Sequence, residues 1–248
     1  MKKSKERKEK AKTTPQVELV KKIETGIEGL DEVLGGGLPI ESLNLVSGTC
    51  GTGKSTLALQ FLYHGAKFRD EPGVYITMEE EPEELIERAK AFGWDLEELI
   101  AQKKLRIVKP EMYRFEVLKR TIEDEVENIQ AKRIVINPFT FITAYFEKTY
   151  DVRKALAEIK RELKRFDCTA LAISDIREGE ESFSASGYEE FIADGVIVLK
   201  IVSKKETASS FTRAIFIRKM RTSPHPLKMI PMEIGKKGIE LYPDAEVF

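Results

Sequence analysis

From Thr25 onward, the chain alternates short apolar runs with longer stretches that mix apolar and polar residues. The apolar runs are LNLVS from Leu43, VYITM from Val74, LRIVK from Leu105, RIVIN from Arg133, TALAIS from Thr169 and VIVLKIV from Val196. Runs of this length, bounded by polar residues, predict buried strands, and the stretches between them predict helices.

The stretch between the fourth and fifth runs is the clearest predicted helix. Its apolar face consists of Val152, Ala155, Leu156, Ile159, Leu163 and Phe166. Its polar face carries Arg153, Lys154, Glu158 and Lys160. Strands that alternate with helices predict an α/β fold with a mainly parallel central sheet flanked by helices. Near the end, RAIFIRKMR and GIELYP are separated by turn residues, which predicts antiparallel strands at one edge of the sheet.

Length and charge narrow the organisation. The chain has 248 residues, 42% of them hydrophobic, which suits one folded domain, and we place it at residues 21–248. Residues 1–20 are rich in Lys and Glu and predict a mobile mixed-charge tail. The formal net charge of −1 provides no overall attraction for nucleic acid or anionic membranes.

Targeting and redox signals are equally sparse. The apolar runs are shorter than the roughly 20 residues of a membrane span, and the basic start leads into no apolar segment, so we expect a cytoplasmic protein without membrane insertion. Cys50 and Cys168 are expected to be free thiols. Charged residues make up 33% of the chain and amides are few, a combination associated with proteins from thermophiles.

The segment GTCGTGKS follows the first strand and precedes a helix expected to begin near Lys54. This is the context of a phosphate-binding P-loop (Walker A motif), in which backbone N–H groups and the helix N-terminus hold the phosphates of ATP. The predicted nucleotide-binding residues are Gly48, Thr49, Cys50, Gly51, Thr52, Gly53, Lys54, Ser55 and Thr56. In this pattern Lys54 contacts the β- and γ-phosphates, and the Ser55 hydroxyl ligates Mg²⁺.

Acidic residues follow the second strand directly. Glu79 stands at the strand tip, where a carboxylate beside the phosphate loop can polarise a water for attack on the γ-phosphate. The alternative interpretation is an acidic cap for a helix beginning after Pro82, and it accounts well for Glu83 and Glu84 and also suits Glu81.

The fourth strand ends in Asn137, where proteins with this loop usually carry the Walker B aspartate. An amide offers one carbonyl oxygen to a metal-bound water but removes a negative charge beside the ion. We therefore expect weaker Mg²⁺ binding or slow turnover. Asp175, at the end of the next strand, is a nearby carboxylate that can partly substitute.

Two cations end a later strand. A period of two in AIFIRKMR predicts that Ile215, Ile217, Lys219 and Arg221 share one face. The pair is either an ordinary charged strand end or an arginine-finger arrangement that stabilises charge on a neighbouring subunit's phosphate.

Several motifs recur in the same order in a known family. They are TGIEGLDEVLGGGLP, the phosphate loop, GVYITMEEEPEEL, AFGWDL, GYEEFIADGVIVL and KMRTSPH. On these motifs the chain resembles KaiC-like ATPases of the RecA superfamily from Ile23 onward. The resemblance implies a RecA-like P-loop NTPase fold, a homo-oligomeric ring commonly of six, and ATP between subunits. It also implies that Glu79 and Glu80 activate the water, and that Lys219, Arg221 and His225 reach the neighbour's γ-phosphate.

The sequence departs from the family at several positions. Ala91 replaces a serine that approaches the nucleotide, and Gly235 and Lys236 replace a Thr-Asp pair, so contacts to the base and ribose stay open. Asn137 replaces the magnesium-side aspartate.

Three functions are compatible with these features. The first is a slow ring-forming ATPase that acts on an unknown protein partner, with Lys54, Glu79 and Glu80 as catalytic residues. The second is a nucleotide-dependent scaffold that hardly hydrolyses ATP, which Asn137 favours and Glu79 opposes. The third, a DNA recombinase, is disfavoured because REGEESFSASG, residues 177–187, is net acidic and would repel nucleic acid.

Overall fold

The computed structural model describes residues 20–112, 114–180, 182–203 and 211–247. The helices are α1 Leu30–Val33, α2 Lys54–Phe68, α3 Pro82–Lys90, α4 Leu96–Ala101, α5 Phe115–Ile129, α6 Thr140–Tyr145, α7 Thr149–Arg165 and α8 Glu189–Ile192. The strands are β1 Lys22–Ile23, β2 Leu38–Pro39, β3 Leu43–Gly48, β4 Gly73–Thr77, β5 Leu105–Val108, β6 Arg133–Asn137, β7 Thr169–Asp175, β8 Gly195–Ser203, β9 Phe211–Met220, β10 Met229–Gly235 and β11 Gly238–Leu241.

A nine-stranded sheet organises the fold, in the order β11-β10-β9-β8-β3-β7-β6-β4-β5. The strands from β8 to β5 in this order are parallel, whereas β9, β10 and β11 are antiparallel to their neighbours. The predicted α/β class and the antiparallel C-terminal edge are therefore confirmed. The carboxyl ends of β3, β4, β6 and β7 all lie at one edge of the sheet, which is where ligands bind in open α/β sheets.

Both faces of the sheet are covered by apolar side chains. On one face, Leu57 and Phe61 of α2 pack with Val46, Tyr75 and Val135 of the strands. On the other face, buried residues of α5 and α7 pack against the opposite sides of the same strands. The predicted apolar face of α7 is confirmed, since Val152, Ala155, Leu156, Ile159 and Leu163 are buried. Phe166 caps this helix and packs on the same core at partial burial.

One charged residue lies inside the packing between α2 and the sheet. Arg133, the first residue of β6, is 0% exposed, and its guanidinium carbon lies 4.5 Å from the centre of the Phe61 ring. Its Nε donates to Glu71 at 2.8 Å and its Nη1 donates to the Phe61 carbonyl at 2.8 Å. Burial lowers the pKa of Arg133, an effect opposed by Glu71. A Cβ at Gly65 would lie 2.1 Å from the Arg133 Nε, so only glycine leaves room for this contact.

The predicted tail, residues 1–20, falls outside the described residues except for Val20. Among the helices that the structure describes, none combines the length and apolar character needed to cross a membrane.

Candidate functional site

The phosphate loop lies at the carboxyl edge of the sheet. Strand β3 ends at Gly48, one residue beyond the predicted run, and α2 begins at Lys54, as the sequence predicts. Gly51 and Gly53 have φ values of 76° and 102°, in the left-handed region where glycine is favoured. A Cβ at Gly48 would lie 2.5 Å from the Leu199 carbonyl oxygen of the neighbouring β8. The glycines are therefore required by the backbone path that wraps the loop in front of α2.

Lys54 is folded back across this loop. Its Nζ donates to the carbonyl oxygens of Gly48 and Thr49, both at 2.9 Å. The same Nζ lies 3.0 Å from Asp175 Oδ1, at the end of the adjacent strand β7. Asp175 thus lies beside the phosphate loop, and in this structure its partner is Lys54.

Asn137, at the end of β6, lies beside Ser55. Its Nδ2 donates to the Tyr75 hydroxyl at 2.7 Å and to Ser55 Oγ at 3.3 Å. Tyr75 comes from β4 and is fully buried, and burial raises the pKa of its phenol. The sequence pattern indicates only that Tyr75 belongs to the buried run VYITM. Its hydroxyl contacts Asn137, which lies 62 positions later in the sequence, so no local pattern predicts this hydrogen bond.

The two glutamates at the end of β4 differ in their surroundings. Glu80 is half-buried, and its carboxylate pairs with Arg88 of α3 at 2.9 Å between Oε2 and Nη2. Glu79 is exposed, and its carboxylate makes no hydrogen bond or ion pair within the described residues. Glu79 is therefore the carboxylate available to a water molecule, and Glu80 is held in one orientation.

Glu81 belongs to the helix rather than to the site. Its side chain accepts from the backbone of Glu84, whose side chain accepts from the Glu81 N–H in return, and Pro82 opens α3. Lys109 Nζ also contacts the Glu81 carboxylate at 2.6 Å. The capping interpretation is confirmed for Glu81 and Glu84.

One cleft of about 460 Å³ collects these groups. Its lining residues are Cys50, Gly51, Gly53, Lys54, Ser55, Thr56, Glu79, Glu80, Arg88, Asn137, Asp175 and Ile234. Residues of the antiparallel edge close one side, because Ile234 packs near Gly53 and Arg213 Nε donates to the Gly51 carbonyl at 3.0 Å. Sequence reasoning missed Arg88 and Arg213, since both reach the site from other elements.

Lys219 and Arg221 lie near the amino-terminal ends of the parallel strands, at the end of the sheet opposite the phosphate loop. Lys219 pairs with Val196 near the start of β8, and the Arg221 N–H donates to the Asp194 carbonyl. Asp194 in turn donates to Leu43, at the start of β3, whose other end leads into the phosphate loop. Arg221 is level with Leu43, five residues before Gly48, and Lys219 is level with Leu45, three residues before it. These separations are roughly 17 and 10 Å along the strands. These cations are therefore distant from their own phosphate loop.

The predicted common face of Lys219 with Ile215 and Ile217 is wrong. The register of β8 and β9 shifts between Val196 and Ile197, so Arg218 is an extra residue in β9. A bulge of this kind interrupts the alternation of side chains. Met220, rather than Lys219, continues the buried face of Ile215 and Ile217.

Both cations bind the segment around α8. Lys219 Nζ donates to the carbonyls of Glu190 at 2.9 Å and Ala193 at 2.7 Å. Burial lowers the pKa of Lys219, and the nearby Arg221 lowers it further. Arg221 contacts Asp194 Oδ1 at 3.4 Å and the Phe191 carbonyl at 3.2 Å. His225 follows in the next turn, where its Nδ1 lies 3.1 Å from the Ser223 carbonyl.

Comparison with known proteins agrees with this geometry. The family model described as "ATPase: KaiC" matches residues 23–246, nearly the whole of the described chain. The chain belongs to the KaiC family of ATPases. The RecA-like fold and the KaiC-type assignment expected from the motifs are confirmed, and KaiC-family membership makes this a nucleotide-binding protein of the ATPase class.

Relatives of this KaiC-family chain include bacterial and archaeal proteins. It is 35% identical over 233 residues to "Circadian clock oscillator protein KaiC" of Prochlorococcus marinus, covering 90% of this chain and 46% of that protein. It is 35% identical to a UPF0273 protein of Methanocaldococcus jannaschii over 246 residues, covering 91% and 98% of the two chains. A solved KaiC-like protein from Pyrococcus horikoshii superposes with a TM-score of 0.81 at 37% identity, covering 90% and 100%. The chain thus spans about half the length of the KaiC relatives, at 46% for the first of them.

Proposed function

We propose that this chain binds ATP with Mg²⁺ at its phosphate loop and hydrolyses it slowly, in a homo-oligomeric ring, commonly of six, whose neighbouring subunits complete each site. The observation that supports this most directly is the meeting of Lys54, Ser55 and Glu79 in one cleft at the carboxyl edge of the sheet. The three residues supply a phosphate-binding cation, a metal-binding hydroxyl and a carboxylate for water activation.

ATP binding exchanges the partners of Lys54. The phosphates take the Lys54 ammonium from Asp175 and from the loop carbonyls, since a polyphosphate carries more charge than either. Asp175, whose side chain is 54% exposed, is then released into the cleft.

The residues around Ser55 fit a magnesium ion bound with the nucleotide. The Ser55 hydroxyl, the Asn137 amide and the Asp175 carboxylate are all oxygen donors, the class that Mg²⁺ prefers. Ser55 would hold the ion directly, with Asn137 and Asp175 acting through bound water. A bound Mg²⁺ would supply positive charge that neutralises the charge developing on the phosphates. Because Asn137 contributes no negative charge, we expect weak metal affinity and slow turnover.

Glu79 polarises the attacking water, because its carboxylate is exposed to the cleft and forms no ion pair among the described residues. Glu80, which forms an ion pair with Arg88, lines the cleft beside it.

Lys219, Arg221 and His225 act on the nucleotide of the neighbouring subunit. Their position at the edge opposite the phosphate loop supports this assignment, since they are too far to serve their own site. To do so, Lys219 and Arg221 exchange the carbonyls around α8 and Asp194 for phosphate oxygens. Turnover then changes contacts between subunits and thereby the ring's contacts with a protein partner.

Asn137 favours a second candidate, a nucleotide-dependent scaffold with almost no hydrolysis. The test is steady-state phosphate release by purified protein, with Glu79→Gln, Asn137→Asp and the exposed control Glu83→Gln. Slow wild-type turnover that disappears in Glu79→Gln and persists in the control supports the ATPase. Absence of wild-type turnover together with activity in Asn137→Asp would establish the scaffold instead.

A further inference from the structure

Three polar side chains from three elements meet beneath the phosphate loop. Tyr75 of β4 and Ser55 of α2 both contact the same amide nitrogen, Nδ2 of Asn137, at 2.7 and 3.3 Å. Ser55 is the residue expected to meet the metal, so Tyr75 is linked to the metal ligand through the Asn137 amide.

The hydroxyl of Tyr75 is buried and therefore requires a hydrogen-bond partner. Tyr75 is 0% exposed and packs among apolar side chains of the α2 face of the sheet. Burying a hydroxyl without a partner is unfavourable, whereas a satisfied one stabilises a single arrangement of its neighbours. Phenylalanine would fill the same volume, so the hydroxyl is the part of Tyr75 that serves the polar network.

The chemistry of the pair differs from that of a carboxylate. An aspartate would hold the serine hydroxyl and the metal's waters through its charge. An amide is neutral, and it carries an acceptor oxygen and a donor nitrogen. Its orientation must therefore be fixed by its other contacts. The Tyr75 hydroxyl provides such a contact at 2.7 Å, the shorter of the two that Asn137 Nδ2 makes.

We propose that Tyr75 is a positioning residue for the magnesium side of the site, and that Tyr75 and Asn137 act as one neutral unit that orients Ser55 toward the Mg²⁺ of the bound nucleotide. This inference rests on the proposed function. Tyr75 is therefore expected to contribute to the increase in nucleotide affinity that Mg²⁺ produces. Binding of the nucleotide without metal is expected to depend on the loop and Lys54 instead.

The test measures the affinity of the protein for a fluorescent ATP analogue in excess Mg²⁺ and in excess chelator. Tyr75→Phe is expected to reduce the Mg²⁺-dependent gain in affinity by about three- to tenfold, the range for loss of one buried hydrogen bond. Its affinity in chelator is expected to stay unchanged. Tyr63→Phe is the matched control, since Tyr63 is a half-buried phenol of α2 stacked on Trp94, away from the cleft.

A second background separates positioning from general packing. In Asn137→Asp the carboxylate holds Ser55 and the metal's waters by charge, so adding Tyr75→Phe is expected to change the Mg²⁺-dependent gain by less than about twofold. This double variant also carries the test if Tyr75→Phe alone does not fold. Non-additivity of this kind indicates that the two residues act as a unit.

The results that would overturn the role of Tyr75 differ from the result that would overturn the proposed function. An undiminished Mg²⁺-dependent gain in Tyr75→Phe, an equal loss in Mg²⁺ and chelator, or a full loss in the Asn137→Asp background would each overturn the role of Tyr75. Failure of the wild-type protein to bind the analogue under both conditions would instead overturn the proposed function.

Discussion

Lys54 Nζ and Asp175 Oδ1 lie 3.0 Å apart across the phosphate loop, so the cation that must bind phosphate is already paired with a carboxylate. Nucleotide binding therefore begins with a competition for Lys54. Asp175 has two successive roles in our proposal, as a partner of Lys54 before binding and as a metal-side carboxylate afterwards.

Replacing Asp175 separates these roles. In Asp175→Asn the competitor is gone, and we expect ATP to bind about two- to fivefold more tightly in chelator, the range for a partly exposed ion pair. The Mg²⁺ concentration for half-maximal turnover is expected to rise, because a negative charge near the ion is lost. Asp244→Asn, a change at an exposed position, is the control. An unchanged Mg²⁺ requirement would remove Asp175 from the metal side of the site.

The two glutamates at the end of β4 are expected to respond differently to loss of charge. Glu79→Gln should reduce turnover by about 10²–10⁴-fold with little effect on ATP affinity, as for loss of a general base. Glu80→Gln should reduce it by less than about tenfold, because Glu80 already forms an ion pair with Arg88. Single-turnover phosphate release and equilibrium binding distinguish the two effects. A larger loss in Glu80→Gln would reverse the assignment.

Subunit mixing tests whether Arg221 acts on a neighbour. Lys54→Ala damages the phosphate loop and Arg221→Ala damages the opposite edge, so each variant alone should be inactive. In an equal mixture with random exchange, about a quarter of the sites combine an intact loop with an intact Arg221, and a similar fraction of wild-type turnover should return.

The matched control mixes Lys54→Ala with Glu79→Gln. Both changes lie in the same half of the site, so every loop in that mixture is defective and no activity should return. Fluorescently labelled subunits report whether exchange has occurred. An inactive Lys54→Ala and Arg221→Ala mixture whose subunits have exchanged would contradict the contribution from a neighbour.

The buried pair of Arg133 and Glu71 should contribute strongly to stability. Glu71→Gln leaves a fully buried guanidinium without its carboxylate, and we expect the free energy of unfolding to fall by about 3 kcal/mol. Glu98→Gln breaks an exposed ion pair with Lys67 and should lower the free energy of unfolding much less. Denaturant unfolding curves measure both. Equal losses would show that the Phe61 carbonyl and ring suffice for Arg133.

The fold was accessible from sequence because its signals are local. Each predicted strand is a short apolar run, and the start of α2 at Lys54 follows from the loop motif itself. The cap at Glu81 likewise depends on residues three positions apart. Backbone preferences and burial patterns act over such distances, so the sequence can express them directly.

The details of the site were less accessible because they depend on contacts between distant elements. Tyr75 looks like any aromatic core residue until Asn137, on another strand, reaches its hydroxyl. Arg88 and Arg213 approach from a helix and an edge strand. The face of Lys219 was mispredicted for a different reason, since one extra residue at Arg218 reverses the alternation.

If Lys219 and Arg221 serve a neighbouring subunit, as we propose, their placement at the end of the sheet opposite the phosphate loop also constrains assembly. A subunit with complementary half-sites at opposite ends joins its neighbour head to tail, because a two-fold dimer would pair like with like. In an open row of such subunits, the phosphate loop at one end and the pair of cations at the other end both lack a counterpart. Only closure of the row satisfies every half-site, so the number of working sites would report directly whether the assembly is closed.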